Sequence, residues 1–153
     1  KMKMQAFILM LTVVSFALSD LDEKKIGIEL ELGEGKVFQI RSEDEGPISY
    51  WLNYNSVRTQ LPKKYFDLIK QTLNNNNFKC STRYTYSGGF YEKFSCKEKS
   101  NVDFSKVKLH LHIGNKTITM NEKQLFETEG SKHTAKFLTQ KEISMFIFGL
   151  STR

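Results

Sequence analysis

Val107-Lys108-Leu109-His110-Leu111-His112-Ile113-Gly114-Asn115-Lys116-Thr117-Ile118-Thr119-Met120 carries the pattern that decides the fold class. Val107, Leu109, Leu111 and Ile113 alternate with Lys108, His110 and His112, the two-residue period of a strand with one buried and one solvated face. Gly114-Asn115 is turn chemistry, and Thr117 to Met120 returns as a second strand. His110 and His112 share one strand face, where two imidazoles could meet a metal. No carboxylate or third histidine lies close by in sequence, so solvent-facing alternation accounts for them. Asn115-Lys116-Thr117 is also a glycosylation sequon, placed on the turn.

Moving toward the N-terminus, Phe78 to Cys96 reads as a second hairpin. Tyr84, Tyr86, Phe90, Tyr91 and Phe94 flank Ser87-Gly88-Gly89. Its two cysteines, Cys80 and Cys96, have no further Cys or His at metal spacing, so zinc is not expected. A disulfide closing this short loop would stabilise the fold by roughly 3 kcal/mol in an oxidising compartment. Pro62 then opens a helix, with Tyr65, Phe66, Ile69 and Leu73 on one face and Lys63, Lys64, Asp67, Lys70 and Gln71 on the other. Asn74 to Asn77 ends it, since asparagine tolerates the left-handed conformation.

Earlier still, Ile28, Leu30 and Leu32 alternate with Glu29 and Glu31, and Gly33-Glu34-Gly35 turns the chain into Val37, Phe38 and Ile40. Arg41 to Pro47 is polar and acidic, hence a loop, and Ile48 to Leu52 is another strand. At the other end, Ile143 to Leu150 is a nearly continuous apolar run, suited to a strand buried on both faces. The glycine pairs at 33–35 and 88–89 are hairpin turns rather than phosphate loops. Mainly β, with one clear short α-helix, is the expected fold class.

Met4 to Leu18 is apolar apart from Gln5, Thr12 and Ser15, follows Lys1 and Lys3, and ends at Ala17-Leu18-Ser19. That is a secretory signal pattern. It is short for a membrane span, which needs about 20 residues. A signal peptide, an anchor and a buried segment all remain open for residues 1–19, with a folded domain over 20–153. The 153 residues make about one domain, and 39% hydrophobic against 26% charged residues exclude a disordered chain. Net charge is +6, or +4 without Lys1 and Lys3. The lysines are scattered among acids, so nucleic acid is not expected as a partner, and no small-molecule cofactor or metal is expected either. His133 stands alone, and Ser56, Ser87 and Ser95 lack the context of an activated nucleophile. Trp51 and the Tyr/Phe set read as core packing, with a peptide-binding cleft as the alternative.

Several of these stretches, in this order, resemble one lobe of a pepsin-like aspartic protease. Leu61-Pro62-Lys63-Lys64-Tyr65-Phe66-Asp67-Leu68-Ile69 is similar to the leucine-proline helix after that family's second active-site loop. The paired cysteines, the hairpin from Val107 to Met120, and Asn121-Glu122-Lys123-Gln124-Leu125-Phe126 in place of the family's S-P-E-x-Y stretch follow. Ile147-Phe148-Gly149 resembles its Ile-Leu-Gly strand, so the resemblance covers residues 48 to 150. Val14-Ser15-Phe16-Ala17-Leu18-Ser19 is similar to the Phe-Ser-Phe-Tyr-Leu-Ser strand between the lobes, a further alternative for the N-terminus. The resemblance implies a single-lobe, acid-protease-like β-sheet domain.

It also implies a test of the chemistry. Such enzymes use two Asp-Thr-Gly or Asp-Ser-Gly loops, whose carboxylates share a proton and activate water. Nine residues before Pro62, where the family has its aspartate, stands Asn53, and Asn53-Tyr54-Asn55-Ser56 replaces Asp-Ser-Gly-Thr. An amide is no general base, so no catalytic residue is expected here. One minority candidate is Asp44, in an Asp44-Glu45-Gly46 spacing, acting as a dyad across a homodimer. Against it, Glu45 lacks the bracing hydroxyl and adds charge.

The expected function is therefore a catalytically inactive, structural or protein-binding subunit of a larger assembly. Its partners would be proteins, with membrane contact through Met4–Leu18. Its place would be the secretory pathway, the exterior or a membrane, or another organelle if the N-terminus is an anchor. The alternative is an active aspartic endopeptidase, as a homodimer or as part of a longer chain.

Overall fold

A computed structural model describes residues 24–86, 88–97, 102–141 and 143–151. The apolar segment Met4–Leu18, its Ala17-Leu18-Ser19 site, the strand likeness of Val14–Ser19 and the turn residue Ser87 lie outside the described residues. Strand β1 (Lys24–Glu31) buries Ile26, Ile28 and Leu30 on one face. It pairs with β2 (Val37–Arg41) across the glycine turn, where Leu32 and Lys36 close the loop by backbone hydrogen bonds. The expected Ile48–Leu52 strand is split into β3 (Pro47–Ile48), on the edge of β1, and β4 (Tyr50–Asn53) in another sheet.

After β5 (Thr59–Gln60), helix α1 runs Lys63–Asn75 and buries Tyr65, Phe66, Ile69 and Leu73 as its spacing predicts. Pro62 caps it from outside, with φ −56° and ψ 146°, and its carbonyl accepts from the N–H groups of Tyr65 and Phe66. Asn77 takes the left-handed conformation (φ 71°) beyond the C-terminus. The hairpin of β6 (Lys79–Tyr86) and β7 (Phe90–Lys97) sets Cys80 directly opposite Cys96, and the two form a disulfide.

Strand β8 (Lys108–Ile113) alternates as its sequence demands, and β9 (Lys116–Met120) returns beside it. A one-turn helix α2 (Glu122–Leu125) is started by Asn121, whose side chain accepts from the Lys123 N–H while Gln124 reaches back to the Asn121 N–H. Strands β10 (Phe126–Glu129) and β11 (Lys132–Ala135) form a fourth hairpin about Gly130, and β12 (Phe137–Leu138) and β13 (Phe146–Gly149) follow.

The fold is mainly β, with one clear helix and three sheets ordered β2-β1-β8-β9 (with β3 on β1), β10-β11-β7-β6 and β12-β5-β13-β4. Their shared core is aromatic. Phe66 meets Phe94 edge-on at 5.4 Å, Tyr65 lies 5.2 Å from Phe146, and Phe104 links Phe78 and Phe126. Two sequence expectations need correction. The last strand is not buried on both faces: Phe146 and Phe148 point inward while Ile147 is half-exposed. Nor do all the large aromatics pack the core, because Trp51, Tyr54, Tyr84, Tyr86 and Phe90 are exposed. Among the described residues, no helix is long and apolar enough to cross a membrane.

Candidate functional site

Strands β4 and β5 flank the loop from Tyr54 to Arg58, and β13 lies between them. It runs parallel to β4, pairing Phe146 with Tyr50 and Gly149 with Asn53, and antiparallel to β5, pairing Ile147 with Gln60. Strands β4 and β13, about 95 residues apart in sequence, are thus hydrogen-bonded side by side. The loop closes over the end of β13. Leu150 donates to the Asn53 carbonyl at 2.9 Å, Ser151 to the Ser56 carbonyl at 3.0 Å, and Gly149 to the buried Thr59 hydroxyl at 3.0 Å. Thr139 completes the support by donating to the Leu61 carbonyl at 2.7 Å. A Cβ on Gly149 would lie 2.4 Å from the Arg58 carbonyl oxygen, so the approach of loop to strand requires glycine there.

Within the loop, the Asn53 side-chain oxygen accepts from the Asn55 N–H at 3.0 Å, an Asx turn. Ser56 Oγ accepts from the Arg58 N–H and donates to the Arg58 carbonyl. The amide therefore shapes its own loop, and it does not ionise at ordinary pH. Tyr54 is exposed. A shallow cavity of about 270 Å³ opens beside the loop, lined by Trp51, Asn53, Arg58, Gln60, Tyr91 and Ile147.

Asp44 sits elsewhere, exposed in a 3-10 turn (Glu43–Glu45) capped by Ser42. Its neighbour Glu45 accepts from the Tyr65 hydroxyl at 2.9 Å and pairs with Lys64 at 3.2 Å, tying the turn to α1. Burial pushes the Glu45 pKa up, but hydrogen bonds from the Ser42 N–H, Tyr65 and Lys64 outweigh it and hold the carboxyl below its usual value. Beneath the turn Arg41 is buried. Its guanidinium donates to the carbonyls of Ile26 (2.7 Å) and Gly46 (2.8 Å) and lies against the rings of Tyr65 and Phe146. Asp44 lines a separate cavity of about 230 Å³ with Glu29, Arg41 and His112. Among the described residues, Asn53 and Asp44 line different cavities.

On the solvated face of β8, His110 and His112 find carboxylates that sequence proximity could not reveal. His110 Nε2 meets Glu31 at 2.9 Å, His112 Nε2 meets Glu29, and their Nδ1 atoms meet Thr119 and Thr117 on β9. No group of three metal-ligating side chains occurs among the described residues. His133, isolated in sequence, is buried and stacked on Phe104 at 3.6 Å. Asn115 is exposed in the β8–β9 turn. Compared with known families and curated proteins, the chain matches no family model and no curated sequence.

Proposed function

We propose that this chain is a catalytically inactive domain of the pepsin-like aspartic-protease type, serving as a structural, protein-binding subunit of a larger assembly. The observation that carries this reading is the insertion of β13 between the strands flanking the Asn53 loop, with Gly149 opposite Asn53. On this reading Asn53 occupies the position of a lobe's aspartate, and its amide supports an inactive domain. An amide that accepts a backbone N–H is well suited to shaping a loop and unsuited to activating water. Exposed aromatics at Trp51, Tyr84, Tyr86 and Phe90 favour contact with other proteins. The Cys80–Cys96 disulfide favours an oxidising compartment and so the secretory pathway or cell exterior, and Met4–Leu18 would supply any membrane contact.

An acid-pH peptide-hydrolysis assay on the intact chain tests the reading. The expected result is no cleavage, with or without Asp44→Asn. Cleavage that pepstatin blocks and Asp44→Asn abolishes would establish an active homodimeric endopeptidase in its place.

A further inference from the structure

A cavity of about 640 Å³ lies beside the loop residues Val57 and Arg58, lined by strands of two sheets. Its apolar floor is built by Val57, Phe126, Ala135 and Leu138, and four cations line it: Arg58, Lys93, Lys123 and Lys136. Two carboxylates, Glu122 and Glu127, share the lining and leave it net positive. Among the described residues, neither Arg58 nor Lys93 has a carboxylate at salt-bridge distance. Burial, and next the charge of Arg58, hold the Lys93 ammonium below the usual lysine pKa, and Arg83 adds to this while Glu127 opposes it. Two like charges held together over an apolar floor repel each other, and a bound anion would relieve that repulsion.

We propose that this cavity receives an acidic segment of a partner polypeptide, with a carboxylate seated between Arg58 and Lys93 and a neighbouring apolar side chain on Phe126 and Leu138. The volume favours this over a lone anion, since it falls in the range of about 300–1,000 Å³ that accommodates multi-atom ligands. The floor favours it too, because a free phosphate gains nothing from apolar surface. The assignment rests on the protein-binding reading above and gives the chemistry of the segment bound.

Titration calorimetry of the intact chain with a blocked octapeptide of alternating Glu and Leu tests it, against the same peptide with Gln for Glu. Expected are binding that weakens as salt rises, at least about tenfold weaker binding of the Gln peptide, and about tenfold losses in Arg58→Ala and in Lys93→Met. Lys116→Met, a cation on β9 outside the cavity, should bind as the wild type does, and thermal unfolding should show that every variant is folded. Equal binding of the two peptides, or undiminished binding in both Arg58→Ala and Lys93→Met, would overturn the assignment. So would inorganic phosphate that competes at equal concentration. If a stoichiometric native partner is retained by an Arg58→Ala/Lys93→Met protein, this site fails and the subunit reading stands. Peptide binding by a protein that has no native partner would instead leave the site and remove the subunit.

Discussion

Gly149 is the residue on which the Asn53 loop turns. Its missing side chain lets the Arg58 backbone close onto β13, and its N–H reaches the buried Thr59 hydroxyl. Gly149→Ala should therefore cost about 2–3 kcal/mol, read from the urea unfolding midpoint, because backbone rather than a flexible side chain must move. Lys93 behaves in the opposite sense. A lysine whose folded pKa is depressed binds fewer protons folded than unfolded between that pKa and 10.5, so stability rises with pH across that window. Below it the charge is a burden, discounted here for solvent screening to no more than about 0.5 kcal/mol. Lys93→Met should raise the melting temperature slightly at pH 7, and the gain should vanish above pH 10.5. Stability gained together with peptide affinity lost would mark Lys93 as held there for binding. Residue identity alone disclosed Asn53 as a non-acid. It did not disclose Lys93, because Arg58 and Lys93 meet only through the packing of distant strands.

Elements differed in how openly they were written. The strand Lys108–Ile113 and helix Lys63–Asn75 were legible because each buries one face and so carries a strict period. The hairpin from Phe126 to Ala135 was not, since Glu127, Thr128, Glu129 and Gly130 are all exposed and leave no alternation to read. Likewise Ile147 hid its half-exposed side inside an apolar run, which pattern alone reads as fully buried. Removing the disulfide by Cys80→Ser with Cys96→Ser should cost about 3 kcal/mol for its 16-residue separation, measured by thermal unfolding. The acidic turn offers a pH test. Because the Glu45 carboxyl is held below 4.5 in the fold, its bonds stabilise fully above that pH and are lost as pH falls through the lower folded value. Glu45→Gln should flatten that acid loss by less than about 1 kcal/mol, as Glu45 is partly exposed.

At the scale of the whole molecule, three sheets share one aromatic core and leave edges and rings outside it. Mainly β architecture was legible from the alternating strands; the placement of β13 between β4 and β5 was not, because strand order depends on contacts with no local signature. The diagonal His–Glu pairs of β8 and β1 were hidden for the same reason. Exposed Tyr84, Tyr86 and Phe90 stand near one hairpin tip, with Tyr86 and Phe90 in edge-to-face contact at 5.1 Å. Surface of that kind is favourable to cover and unfavourable to leave in water. The most direct measurement is size-exclusion chromatography with light scattering on natively purified protein, with mass spectrometry of every co-eluting chain. Stable, stoichiometric protein partners are the predicted result; a partner-free monomer, or a lone homodimer that cleaves peptides at acid pH, would contradict the account.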